Sequence, residues 1–277
     1  MPENAVIGLC REAQGMVSRL RSAGLAVAAW DAGAPFEPGV KTFATLPELM
    51  QAVAMPRVIW FAPIVDSRFI LELLQPLLGS GDIIVDCGFA HYRSAQDRAR
   101  MLAGKGVFLV DAGMAGGDEE HGYALTLGGE AQAIEQIKLG LEAIAPRRWL
   151  HCGPGGSGYF VRQMQSLMQV EMAQAWTSGL ATLKKNEAIS VDLQAMAQIW
   201  QSSSSLYGGA QTLALEFLND ANVPARIATG NPQELAVLRQ ELTPALNLAL
   251  AVHYAGQGMS LFQRQIAAML GGIPPRG

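Results

Sequence analysis

The chain is expected to fold as an α/β domain built on a doubly wound parallel sheet, followed by an all-α domain. Three observations lead there. Short β-rich runs alternate with helical patterns through the first half. The stretch Cys152-Gly153-Pro154-Gly155-Gly156-Ser157-Gly158 then breaks all periodicity. Beyond it the apolar spacing is helical almost throughout. The expected domains are residues 1–155 and 156–277.

In chain order, Ala5 to Leu9 reads as a buried strand and Gln14 to Ala23 as a helix. Ala26 to Trp30 is a second strand, Leu46 to Val53 a helix, and Val58 to Phe61 a third strand. A helix follows Asp66-Ser67, whose short polar side chains suit an N-cap. Ile83 to Asp86, a helix over Ser94 to Gly104, and Val107 to Asp111 continue the alternation. Tyr123 to Leu127 and Trp149-Leu150 are further strands around a helix over Ala131 to Ile144. From Tyr159 a long helix runs to about Lys185, with Met164, Leu167, Met168 and Met172 at three-to-four spacing. That stripe is read as core or dimer packing, and Lys184-Lys185 as a helix end where cations suit the dipole. Later helices are expected over Leu193 to Tyr207, Ala210 to Leu218, Gln233 to Gln257 and Leu261 to Leu270, with a flexible tail over Gly271 to Gly277.

The first strand ends at Gly8-Leu9-Cys10-Arg11-Glu12-Ala13, where a dinucleotide fold would place G-x-G-x-x-G. Gly8 is present. Cys10 puts a side chain where backbone must approach a pyrophosphate, while Ala13 is tolerated at the third position. Asp31 lies 23 positions after Gly8, where a carboxylate would bind a ribose 2′-hydroxyl. If a nucleotide binds, NAD is therefore favoured over NADP; the alternative reading of Asp31 is an aspartate capping the next turn.

The chain is 50% hydrophobic and 16% charged over 277 residues, a balance that favours a buried core over disorder. A net charge of -4 with no basic face excludes nucleic acid as an expected partner. Three cysteines, Cys10, Cys87 and Cys152, lack C-x-x-C spacing, so no disulfide framework or metal centre is expected. No leader pattern or long apolar run is found, and the expectation is a cytoplasmic protein with no membrane partner.

Four segments then carry a family resemblance: Asp82-Ile83-Ile84-Val85-Asp86-Cys87-Gly88, Val110-Asp111-Ala112-Gly113-Met114-Ala115-Gly116-Gly117, Leu127-Gly128-Gly129-Glu130-Ala131, and Leu150-His151-Cys152-Gly153-Pro154 leading to Gly158-Tyr159-Phe160-Val161. In that order the chain resembles the decarboxylating 6-phosphogluconate dehydrogenases, in their short bacterial form, within the β-hydroxyacid dehydrogenases. The resemblance implies a Rossmann-type NAD(P)-binding domain, a helical dimerisation domain, a homodimer, and oxidation of a hydroxyl followed by decarboxylation.

The resemblance also marks departures. The family's proton-transferring lysine and glutamate fall on Arg162 and Gln169, and the histidine and asparagine of the same helix on Gln165 and Ser166. Arginine does not cycle as a base at neutral pH and glutamine offers no titratable proton. Two missing proton carriers would each cost about 10² to 10⁴ in rate, so no catalytic residue is assigned. The family's asparagine-serine pair falls on Phe89-Ala90, its serine on Ala115 before Gly116-Gly117, and its loop after the third strand on Ala62-Pro63-Ile64, next to Phe61. No counterpart of its late aspartate-threonine-glycine stretch is found near Ala225 to Pro232.

Other candidates have plainer readings. Asp118-Glu119-Glu120-His121 is read as a solvated loop whose carboxylates would repel a phosphosugar, and His91-Tyr92 and His151-Cys152 lack an orienting third group. Arg162 could clamp a carboxylate or phosphate bidentately. The expectation is a non-catalytic relative used for binding or assembly, with a protein partner as one outcome. The competing expectation is an NAD(P)-dependent oxidoreductase of a hydroxy acid, with Glu171 or His121 as proton carrier, although Glu171 turns about 200° away from Gln169 on a helix. The apolar region at Leu246, Leu248, Leu250 and Val252 is compatible with the homodimer.

Overall fold

The computed structural model describes residues 3–8, 10–30, 36, 38–63, 67–88, 90–118, 122–166, 168, 183, 188, 191–193, 195, 196, 199 and 200. Met1–Gln163 form one compact unit and Met164–Gly277 a second. The first unit runs β1 (Glu3–Ile7), α1 (Arg11–Ser22), β2 (Val27–Trp30), β3 (Lys41–Phe43), α2 (Leu46–Ala52), β4 (Arg57–Phe61), α3 (Ser67–Leu74), β5 (Ile83–Asp86), α4 (Tyr92–Ala103), β6 (Phe108–Asp118), β7 (Gly122–Gly128), α5 (Ala131–Gln136), α6 (Lys138–Ile144) and β8 (Trp149–Gly153). Helix resumes at residue 157, and 157–166 are termed α7.

The strands form one sheet in the order β3-β2-β1-β4-β5-β6-β7-β8. Its first six strands are parallel and have the order of a Rossmann-type sheet, with the reversal of winding between β1 and β4. Period-two alternation sends successive apolar side chains to opposite faces. Val6, Trp60 and Val85 enter a core with Met16 and Leu20 of α1, Ile134 of α5 and Leu141 of α6. Ile7, Phe61 and Ile84 enter a second with Leu49 of α2, Leu74 of α3 and Leu102 of α4. Both faces are covered, which is why these strands read as continuous apolar runs.

Local signals explain several boundaries. Thr45 and Glu48 form a reciprocal capping box at the start of α2. Past the end of α1, Gly24 adopts φ 74° and its N–H donates to Arg21 O at 2.8 Å.

The parallel order ends at β7, which pairs antiparallel with β6, while β8 runs parallel to β7. Only three residues separate β6 from β7, and so short a link permits a hairpin but not a parallel crossover. β6 also continues through Asp118 rather than ending at Asp111, because β7 pairs with it from Asp111 to Ala115 and again, after a register shift, at Asp118. β3 was not expected, since three mostly exposed residues carry no alternation. The helix expected over Ala131 to Ile144 is two helices, with Ile137 between them at φ -97° and ψ 4°. Periodicity returns earlier than expected after β8, with Ser157 and Gly158 already in α7.

The later expected helices, the long helix beyond 168, the methionine stripe beyond Met168, Lys184-Lys185, the tail and the apolar region at Leu246 to Val252 lie outside the described residues, apart from isolated positions before 201. No helix among the described residues is long and apolar enough to cross a membrane.

Candidate functional site

The topological switch between β1 and β4 is where an open α/β sheet receives a ligand, outside the C-terminal strand ends. Here it is lined by the turn after β1 and by Ala62-Pro63 after β4. Ala62 continues the strand pairing by donating its N–H to Ile7 O at 2.9 Å. A side chain at Gly8 would place its Cβ 2.6 Å from the Ala62 Cβ, so glycine is needed for the two segments to meet. Phe61 and Ala62 are fully buried, and Phe61 belongs to the core beneath α3 rather than to the crevice.

Cys10 is the N-cap of α1, with extended backbone at φ -105° and ψ 167°. Its thiol donates to Pro63 O at 3.4 Å, so the side chain crosses from the first turn to the loop after β4. Burial pushes this thiol up, against the pull of the Ala13 and Glu12 N–H groups, which favour the thiolate. Those N–H groups belong to the helix N-terminus that would receive an anion. Ala13 is fully buried in the core. Asp31 lies outside the described residues.

On the other side of β5, α7 is fastened to the sheet by buried polar contacts. Asp111 accepts the N–H of Gly156 at 2.6 Å and of Tyr159 at 2.9 Å. Burial outweighs both and pushes its carboxyl up to about 6. Tyr159 donates its hydroxyl to Asp86 O at 3.0 Å, and Thr126 donates to Gly158 O at 2.9 Å. Asp86 receives Gly88 N–H at 2.9 Å and pairs with Arg98 at 3.1 Å. These aspartates sit in the resembling segments, but the sequence carried no signal that they anchor a helix.

Arg162, on α7, donates Nε–H to Met114 O at 2.9 Å, and burial pulls its guanidinium pKa down. Gly113 passes beneath it, and a Cβ there would collide with the Arg162 Cβ. The arginine therefore lies along the end of β6 next to Ala115 and Gly116, both of which are strand residues, with Gly116 exposed at φ 58°. Gly117 follows in the same strand. Gln165 is exposed and Ser166 half-buried. Phe89, Glu119, Glu120, His121, Gln169 and Glu171 lie outside the described residues. His91 caps α4, its Nδ1 accepting Arg93 N–H at 3.2 Å, while His151 lies against Gly129 O and Gly153 O at 3.0 and 2.9 Å. The sequence missed Gln163, whose amide donates to Ala90 O at 3.1 Å.

The sequence profile of the NAD binding domain of 6-phosphogluconate dehydrogenase matches residues 3–153. The YqeC protein of Bacillus subtilis (strain 168) is 26% identical over 246 residues, covering 84% of this chain and 82% of that one. The NAD(+)-dependent, decarboxylating 6-phosphogluconate dehydrogenase of Haloferax volcanii is 26% identical over 287 residues, covering 96% and 94%. Among solved structures, 3-hydroxyisobutyrate dehydrogenase from Salmonella typhimurium shares the fold with a TM-score of 0.71 at 16% identity, covering 96% of this chain and 99% of that chain.

Proposed function

The chain belongs to the family of the NAD binding domain of 6-phosphogluconate dehydrogenase, and from that premise we propose that it has lost the family's catalysis and serves in binding or assembly. One observation carries this reading: the Cys10 side chain reaches Pro63 O across the switch point, over the helix N-terminus that would receive a pyrophosphate. With the Cys10 side chain at the approach point, the residues present do not fit the dinucleotide at this turn. The resemblance adds that the two proton carriers fall on Arg162 and Gln169. Arg162 is retained as a cation, held by Met114 O, and suits a carboxylate or phosphate rather than proton transfer. The protein is further proposed to be a cytoplasmic homodimer with domains at 1–155 and 156–277.

A second reading is an NAD(P)-dependent oxidoreductase of a hydroxy acid, NAD being favoured through Asp31. It draws on the Haloferax volcanii enzyme, whose name states NAD(+) dependence and whose similarity spans nearly the whole chain.

Calorimetric titration with NAD⁺, NADH and NADP⁺ separates the two. The first reading expects no heat of binding at millimolar nucleotide in the native protein, and at least a tenfold gain in NAD⁺ affinity in Cys10→Gly. Micromolar binding by the native protein would overturn it and direct a hydroxy-acid screen.

A further inference from the structure

Two buried polar atoms, one on the N-cap of α4 and one on α7, have no hydrogen-bond partner among the described residues: His91 Nε2 and Gln163 Oε1. The opposite end of each side chain is already committed. His91 is 8% exposed, and its Nδ1 accepts Arg93 N–H at 3.2 Å, which puts the proton of the neutral ring on Nε2. Burial, and then the Arg93 charge, pull its pKa down, which favours that neutral ring. Gln163 donates through Nε2 to Ala90 O at 3.1 Å, an arrangement that makes Oε1 the acceptor. Neither side chain can turn to serve its unpaired atom without giving up the bond it has.

The Gln163 amide reaches the chain beside His91, because the carbonyl it holds is that of Ala90, the preceding residue. The surroundings are apolar and aromatic. Ala90 and Ala95 pack with Tyr159, the Tyr92 ring lies 4.6 Å from the His91 ring, and Phe160 stands edge-on to Tyr92 at 5.3 Å. One unpaired donor and one unpaired acceptor in such a place call for a single neutral group with both capacities. A carboxylate cannot donate to Oε1, and an ammonium cannot accept from Nε2–H.

We propose that His91 and Gln163 form a hydroxyl-binding subsite, in which one hydroxyl accepts from His91 Nε2–H and donates to Gln163 Oε1. The hydroxyl comes either from a buried water or from the alcohol of a small ligand. The subsite does not depend on dinucleotide binding, so it stands or falls apart from the function proposed above.

Crystals of the full-length protein, grown without ligand and then soaked with 6-phosphogluconate, test it. A density peak about 2.7 to 3.2 Å from both atoms in the unsoaked crystal supports the subsite. Its persistence after soaking assigns it to water, and its replacement by a ligand hydroxyl assigns it to the alcohol. A direct His91–Gln163 bond, or no group bridging the two atoms in either crystal, overturns the proposal. In solution, a long-range ¹H–¹⁵N spectrum reads the His91 ring. Gln163→Met removes the acceptor, and a shift of the Nε2 resonance supports the bridge, whereas an unmoved resonance counts against it.

Discussion

At Asp111 a carboxyl that is 1% exposed faces the N–H groups of Gly156 and Tyr159. Two such donors favour the carboxylate, yet burial, which raises its pKa, outweighs them and puts the group at about 6 against 3.8 for the free side chain. Folding therefore disfavours ionisation relative to the unfolded chain, and at neutral pH, where the group is ionised in both states, this costs about 3 kcal/mol. Stability from this group is complete below about pH 4 and is lost as the pH rises through about 6. Urea unfolding at pH 4.5, 5.5 and 6.5 is expected to show the native protein losing stability over that range relative to Asp111→Asn. Parallel profiles for the two proteins would sink the assignment. A sequence can mark Asp111 as part of a resembling segment, but its N–H partner Gly156 arrives 45 residues later, in the turn that leads into α7. Cys10 differs, because a side chain at the second turn glycine is legible at once, while its contact with Pro63 is not.

At the scale of elements, α7 meets the β6–β7 hairpin so closely that only glycine fits at Gly158. A Cβ there would run into the carbonyl oxygens of Asp111 and Thr126, and would stand 2.7 Å from Gly128 N. These are backbone atoms on two paired strands, β6 and β7, and neither can yield alone. Gly158→Ala is expected to cost about 1 to 3 kcal/mol or more in denaturant unfolding. Gly155→Ala serves as the control, since its Cβ would make an ordinary 3.5 Å contact with Ala99 and should change little. Equal losses in both would show that the close approach is not the cause. The glycine richness that made 152–158 read as a break is, at Gly158, the condition for helix packing. For the same reason the second half of β6 was hidden: Gly113 and Gly116 weaken any strand pattern, and the strand is made only by pairing with β7, at Gly113 and on either side of the irregularity that holds Gly116 at φ 58°.

At the scale of the molecule, the proposed homodimer predicts a light-scattering mass of twice the chain after size exclusion, with no dependence on added nucleotide. A monomer at micromolar protein would remove the assembly reading. Within the first unit, the core runs continuously on both sheet faces and closes at the strand starts on a buried ion pair. Arg57 is 4% exposed there and holds both Asp82 oxygens while also donating to Met50 O and Leu77 O.

The sequence by itself determined the alternation of strands and helices, the two-faced core and the substituted first turn, because each is written within ten or so neighbouring residues as a period or a missing glycine. Tertiary structure alone decided the reversal at β7, the burial of Asp111 and Arg57, the Cys10–Pro63 bridge and the unpaired atoms of His91 and Gln163. Each of these depends on segments that are distant in the chain meeting in space, and no local pattern of residues encodes which carbonyl or carboxylate will be waiting there.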